Sequence, residues 1–347
     1  MPALPSAVEA LLKPEVYPHK PKKVELVQTQ MSFVFLTGKY VYKVKKPVNL
    51  GYLDYTTLEK RHFFCRQELE LNKRLCPDVY LAVVPITMEL RGAKRGANLI
   101  ELDGQGEAIE YAVKMKQLPE DRMMDVLLPR GKVTLEMVAK VAERLAGFHR
   151  KAETNQKIDA FGKLDVIRRN CDENFAQTEK YIGASITTKE YQRIRNHTDD
   201  FVNNKGSLFD KRVREGRIRD CHGDLHAAHV CFSEGICIYD CIEFNDRFRY
   251  CDVASEVAFL AMDLDRYGQA GLSRHLVNTY VNLSRDEELL KLLNFYKCYR
   301  AYVRGKVESF KLDDALMSQK EKAKALESAQ SYFQLAESYA RHVQSEE

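Results

Sequence analysis

Cys221-His222-Gly223-Asp224-Leu225-His226-Ala227-Ala228-His229-Val230 is the stretch that decides how this chain is read. A charged segment ending Arg217-Ile218-Arg219-Asp220 precedes it, and the strand-like run Val230-Cys231-Phe232 follows. After the turn Ser233-Glu234-Gly235 comes a second strand-like run, Ile236 to Phe244, which carries Asp240 and Glu243. A loop bearing His, Gly and Asp therefore feeds a hairpin that ends in carboxylates. A carboxylate on a loop can take a proton from a hydroxyl, and carboxylates on the next strand can hold a hard cation against phosphate oxygens.

Outward from this centre, Val253, Val257, Leu260, Ala261 and Leu264 recur at helical spacing and put Asp252 at an N-cap. Towards the N-terminus, Val24–Val27, Phe33–Thr37 and Tyr40–Lys45 read as successive antiparallel strands. Alternation places Val41, Lys43 and Lys45 on one face of the third, so periodicity alone does not separate the two lysines. Thr56-Thr57-Leu58-Glu59 reads as a capping box opening a helix to about Leu75. Its inward stripe is Phe64, Leu71 and Leu75, and Glu68 falls on it. A carboxylate among apolar side chains needs a partner, and Lys43 is the natural one. Further strands are expected over Leu81–Ile86, Asn98–Leu102 and Glu110–Met115, with a basic, exposed hairpin at Arg91, Lys94 and Arg95. Gln117-Leu118-Pro119 then breaks the pattern, and a domain boundary is placed there. Beyond it, helices are expected over Thr134–Lys151, around Asp172–Ile182 and Thr188–Asn203, and through 272–345.

His222-Gly223-Asp224, with a polar residue five positions after the Asp, resembles the catalytic loop of aminoglycoside phosphotransferase-like kinases, His-Gly-Asp-x-x-x-x-Asn. The wider run HGDLHAAHVCF, DCIEFND and DVASEVAFLAMDL resembles an uncharacterised bacterial subgroup of that family, some members of which carry an extra P-loop kinase domain. No Gly-x-x-x-x-Gly-Lys-Ser/Thr is present, so that extra domain is not expected here. The resemblance runs from about Val24 to Gly268. It implies an α+β, bilobal protein-kinase-like fold: an N-terminal nucleotide-binding lobe over 1–117 and a mostly helical catalytic and substrate lobe over 118–347. It further implies ATP and Mg²⁺ as cofactors, with Mn²⁺ as a substitute, and transfer of the γ-phosphoryl group to a hydroxyl of a small molecule.

By the same resemblance Asp224 is the general base and His222 orients the loop. Lys43 contacts the phosphates and pairs with Glu68; the strand ending at Met115 leads into the segment that reads adenine. Glu243 or Asp240 holds the metal, with the count along the chain favouring Glu243. Asp252 matches a carboxylate that braces the catalytic loop. Two departures stand out. His229 occupies the metal-binding Asn position, and imidazole suits Mg²⁺ poorly. The loop Gln28-Thr29-Gln30-Met31-Ser32 has no glycine, leaving Ser32 and backbone N–H groups as phosphate donors. They motivate a second reading, a nucleotide-binding module of impaired catalysis that acts through a protein partner.

Composition bounds both readings. Hydrophobic content of 45% and charged content of 30% are those of a globular chain. The 54 basic and 50 acidic residues give a formal charge of +4, which offers no argument for nucleic acid. No apolar run is long enough to span a membrane, and the first residues, with Pro14, Pro18 and Pro21, do not read as a secretion signal. The nine cysteines form no Cys-x-x-Cys pair, so reduced, mostly buried thiols in a cytoplasm are expected.

Overall fold

The computed structural model describes residues 5–89, 99–315 and 317–342. The expected basic hairpin at Arg91, Lys94 and Arg95 lies outside the described residues. The chain divides into two compact units, one of Met1–Met123 with Val230–Asp246, the other of Met124–His229 with Arg247–Glu347. The fold is α+β: an antiparallel sheet with one long helix in the first unit, and mostly helices in the second. That is the element content implied by the resemblance to the protein-kinase-like fold.

The sheet of the first unit contains β1 (Glu25–Gln28), β2 (Ser32–Leu36), β3 (Tyr40–Lys45), β4 (Tyr80–Glu89), β5 (Leu99–Leu102) and β6 (Glu107–Lys116), in the order β1-β2-β3-β6-β4-β5. All neighbours are antiparallel. Strand β3 is central, and its two faces do different work. Tyr42 and Val44 point into an apolar cluster with Phe35, Val84, Ile86 and the lead-in residues Val8, Leu11 and Tyr17. Lys43 and Lys45 point to the other face, by the period of two.

Helix α1 (Leu58–Lys73) packs against β4 and β6. Thr57 caps it, accepting from the Lys60 N–H, while Thr56 bonds to Asp54 instead, so the expected capping box is a single N-cap. The buried side chains of α1 are Arg61, Cys65, Glu68 and Asn72, not the apolar stripe expected from Phe64 and Leu71. They recur at spacings of four and three and so share one face. That face is polar because each group finds a partner. Arg61 Nε donates to Glu110 at 2.8 Å, and Asn72 accepts the Cys241 N–H at 2.9 Å.

In the first unit β7 is Val230–Ser233 and β8 is Gly235–Ile238, paired as a hairpin. The second strand stops six residues before the expected Phe244, because Asp240 takes φ +62°, a left-handed conformation that ends extended backbone. Cys237 on β8 is joined to Cys76 just beyond α1, with 4.7 Å between their Cα atoms. This corrects the expectation of reduced thiols throughout: two cysteines 161 residues apart meet only in the folded unit. The other seven cysteines form no disulfide, and six of them are buried.

The second unit is built on α2 (Leu135–Lys151), α3 (Leu164–Thr178), α4 (Thr188–Asn204), α5 (Gly206–Arg214), α6 (Val253–Arg266), α7 (Ala270–Ser284), α8 (Leu289–Phe310) and α9 (Gln319–His342). Helix α6 is its axis: every residue from Val253 to Leu264 is buried, and it packs against α7 and α8. A helix buried all round needs apolar residues on every side, and α6 supplies them except at Ser255, Glu256 and Asp263. The two acids are the side chains that reach the quoted loop. Asp252 caps α6 as expected, accepting the Ala254 N–H at 2.8 Å.

Candidate functional site

In the first unit, five ionised side chains converge around β3. Lys43 Nζ lies 2.7 Å from Asp240 Oδ1 and 2.9 Å from Glu68 Oε1. Lys45 Nζ lies 2.7 Å from Glu68 Oε2 and also binds Glu243 Oε1. Glu243 Oε1 accepts from the Tyr55 hydroxyl at 2.6 Å. Both lysines of the sequence alternative therefore share one carboxylate. The turn at Asp240 brings Asp240 and Glu243 into the same cluster, although on an unbroken strand they would face opposite ways.

Burial opposes charge on Lys43, but Asp240, then Glu68 and Glu243, outweigh it and hold its pKa well above the ordinary value. For Lys45 burial is likewise outweighed by Glu243 and Glu68. Glu68 stays ionised for the mirror reason: burial raises its pKa, and Lys43 and Lys45 lower it below the usual carboxylate value. Two ammonium groups face three carboxylates, so the cluster carries one negative charge in excess. The side chain of Asp240 is 40% exposed, whereas that of Glu243 is 6% exposed.

Ser32 opens β2 with its N–H donated to Thr29 Oγ1 at 3.0 Å and its side chain buried. Met115 lies on β6 opposite Val41 of β3 and Tyr80 of β4. It belongs to an apolar cluster with Cys65, Val113 and Cys231.

In the second unit, the quoted loop is held by α6. Glu256 Oε1 accepts the N–H groups of His222 and Gly223 at 2.8 and 2.7 Å. Its other oxygen meets His149 Nε2 at 2.8 Å, and His149 Nδ1 meets the Tyr280 hydroxyl at 2.8 Å. Arg300 on α8 donates to the Gly223 carbonyl at 3.2 Å. Gly223 sits at φ +88°, where a side chain would be strained, and this lets two successive N–H groups face one carboxylate. The bracing carboxylate is thus Glu256. Asp252, the residue to which the resemblance gave that part, is instead clamped by Arg212 Nε and Nη2 at 2.9 and 2.7 Å. The sequence motif does not single out Glu256; its place one turn after the Asp252 N-cap is the signal that could have found it.

Burial raises the Glu256 pKa, but the hydrogen bond and charge of His149, with His222 and the Gly223 N–H, pull it down to about 2. A carboxyl depressed from 4.5 in this way stabilises the fold fully above pH ~4.5 and loses that contribution as pH falls towards 2. The shift corresponds to roughly 3 kcal/mol. Acid unfolding followed by circular dichroism should therefore be less steep over this window in Glu256→Gln than in the native chain. Equal slopes would remove Glu256 as the group responsible.

Asp224 follows Gly223, its N–H donated to His222 Nδ1 at 3.3 Å. Burial raises its pKa, but His226, then His229 and Arg304, hold it well below the usual carboxylate value, so it is an ionised proton acceptor. His229 Nδ1 lies 2.8 Å from the Asp224 carbonyl oxygen. The structure thus brings Lys43, Glu68, Asp240 and Glu243 together in one unit, and His222, Asp224 and His229 in the other.

No family model matches the chain. It is 32% identical over 286 residues to an uncharacterised protein of Mycobacterium tuberculosis (strain H37Rv), covering 82% of this chain and 54% of that protein. The chain so spans about half the length of the curated relatives it matches. A solved choline/ethanolamine kinase family protein from Mesorhizobium loti is 11% identical, with TM-score 0.46, over 96% of this chain and 98% of that one. An aminoglycoside phosphotransferase from Alicyclobacillus acidocaldarius is 11% identical, with TM-score 0.47, over 100% of this chain and 97% of that one. Solved structures that the chain is similar to include those of aminoglycoside phosphotransferase and choline/ethanolamine kinase family proteins.

Proposed function

We propose that the protein is a phosphotransferase that moves the γ-phosphoryl group of ATP to a hydroxyl of a small molecule. The observation that carries this reading is the cluster of Lys43, Glu68 and Asp240. It is a partly buried lysine fixed by two carboxylates, one of which stays open to solvent. A structural ion pair needs no third, exposed acid; a phosphate-binding lysine beside a metal carboxylate does. The domain assignment follows: nucleotide phosphates belong to the first unit and the acceptor's proton to the second.

In this reading Lys43 binds phosphate oxygens, and Glu68 keeps its ammonium extended along the β3 face. Asp224 accepts or orients the acceptor hydroxyl proton as that oxygen attacks the γ-phosphorus. The bond from that phosphorus to the bridging oxygen of ADP breaks, and ADP leaves with the electron pair. His222 orients the loop through the Asp224 N–H. Met115 and the backbone after it are assigned to the adenine. Ser32, whose N–H is already donated, is left with its hydroxyl for a phosphate.

The donor set suits Mg²⁺, which takes one or two carboxylates together with phosphate oxygens and water. When bound, the ion supplies positive charge to the phosphates. Burial supports Asp240 as its principal ligand over Glu243, whose oxygen already holds Lys45 and Tyr55. Asp240→Asn should accordingly raise the Mg²⁺ concentration needed for activity several-fold more than Glu243→Gln does. A larger shift in Glu243→Gln would return the principal role to Glu243.

A screen of ATP consumption against sugars, amino alcohols and aminoglycosides, run beside a nucleotide thermal-shift assay with and without Mg²⁺, tests the function itself. Acceptor-dependent turnover is expected. Nucleotide binding without turnover on any acceptor would favour the impaired module.

A further inference from the structure

We infer that Asp224, His226 and His229 form a binding site for a transition-metal dication of the zinc class, held by two imidazoles and one carboxylate. One donor atom from each residue lies within 4.8 Å of the others. His226 Nε2 is 3.5 Å and His229 Nδ1 is 3.7 Å from the same oxygen, Asp224 Oδ2. Around a tetrahedral ion with bonds of ~2.0–2.1 Å, neighbouring donors stand about 3.4 Å apart. Each imidazole nitrogen therefore stands within a few tenths of an ångström of that separation from Asp224 Oδ2.

The fold builds this arrangement. The short turn Ala227–His229 sets the two imidazoles side by side, with ring centroids 4.0 Å apart and planes tilted by 33°. Leu225 is fully buried between Asp224 and His226 and pins the backbone. The Ala227 N–H donates to the buried Asp263 carboxylate at 2.9 Å, and the His229 N–H to the His226 carbonyl at 2.9 Å. The side chains of His226 and His229 are mostly buried, while that of Asp224 is 31% exposed. A protected donor set with one open side leaves room for water as a further ligand.

Chemistry selects the ion. Two nitrogens and one oxygen suit Zn²⁺, Co²⁺ or Ni²⁺ and not Mg²⁺, which seeks oxygen. The second cluster of this kind, His149, Cys221 and Glu256, is buried throughout, and Glu256 and His149 are committed to the hydrogen bonds that brace the loop, whereas the Asp224 side chain is 31% exposed. Arg304 on α8 acts on Asp224 as an opposing cation, and Asp263 acts in turn on Arg304. Binding replaces the proton on His229 Nδ1, which must then turn from the Asp224 carbonyl towards Oδ2. Occupied, the site holds the carboxylate that the proposed reaction uses as base, so the same ion slows that reaction. This consequence alone rests on the phosphotransferase reading.

The test uses the full chain, stripped of metal with a chelator and titrated with Co²⁺ alone. The expected result is the intense visible absorption of four-coordinate cobalt, saturating at one ion per chain and abolished by one equivalent of Zn²⁺. His229→Asn and His226→Gln should each weaken Co²⁺ binding by about tenfold or more. His275→Asn, on α7 outside the loop, should not. Circular dichroism melts confirm that each variant is folded, and His229→Asn, the less buried position, decides if His226→Gln unfolds. Absence of these bands in the native chain, or equal binding in native chain and His229→Asn, would overturn the site. The readout is the metal's own absorption, so it stands whether or not any acceptor is ever phosphorylated. Zinc that binds without slowing an established turnover would overturn the inhibition.

Discussion

Asp224→Asn is expected to keep nucleotide affinity within a few-fold and to lower turnover by about 10²-fold or more, the scale of a positioned proton acceptor. The two effects separate because the residue sits on the α6-braced loop of the second unit, whereas the lysine–carboxylate cluster belongs to the first. Asparagine keeps the size and the backbone bonds at this position but cannot take a proton. The loop should survive the change, since Glu256, Arg300 and Asp263 hold it through the backbone and not through the Asp224 side chain. Single-turnover kinetics on an accepted hydroxyl, with nucleotide affinity measured in parallel, checks both halves. Turnover close to that of the native chain would mean that Asp224 is not the base.

The second large effect is expected at Glu68. This carboxylate is fully buried and is shared by Lys43 and Lys45. Glu68→Ala leaves both ammonium groups short of an anion. Breaking a buried pair from one side costs about 3–5 kcal/mol, because the remaining charge is uncompensated. Urea unfolding should show that loss as a lower midpoint with little change in slope. Adding Lys45→Met to Glu68→Ala should recover part of it, since the stranded charge goes too. Catalysis should follow the same logic: Lys43→Ala and Glu68→Ala each weaken it, and the double variant is little worse than the worse single one. Strictly additive losses in either measurement would show that these residues do not act as one group.

The two lysines mark the limit of what periodicity can say. Alternation along β3 put Lys43 and Lys45 on one face and could not choose between them. The folded unit makes no choice either, because Glu68 has two oxygens and receives one lysine on each. The inward face of α1 was misread for a related reason. Hydropathy finds apolar stripes, whereas Arg61, Glu68 and Asn72 are buried polar groups whose partners, among them Glu110 and the Cys241 N–H, come from other elements. Nothing local in the sequence announces such partners.

Local chemistry was legible where the cause is local. Strand alternation, the Asp252 cap and the helical spacing of α2 and α6 all act within a few residues, so the sequence by itself determined the α+β class and most element positions. The His-Gly-Asp loop was equally readable, since Gly223 carries its own backbone requirement. Only the tertiary structure decided that Asp240 turns left-handed and shares a cluster with Glu243. It alone joined Cys76 to Cys237, made Glu256 and not Asp252 the brace of the loop, and drew His226 and His229 around one carboxylate oxygen. The disulfide and the brace depend on where a thiol or a carboxylate arrives in space, which is set by packing between elements distant in the chain; the imidazoles sit on a local turn that Asp263 holds from α6.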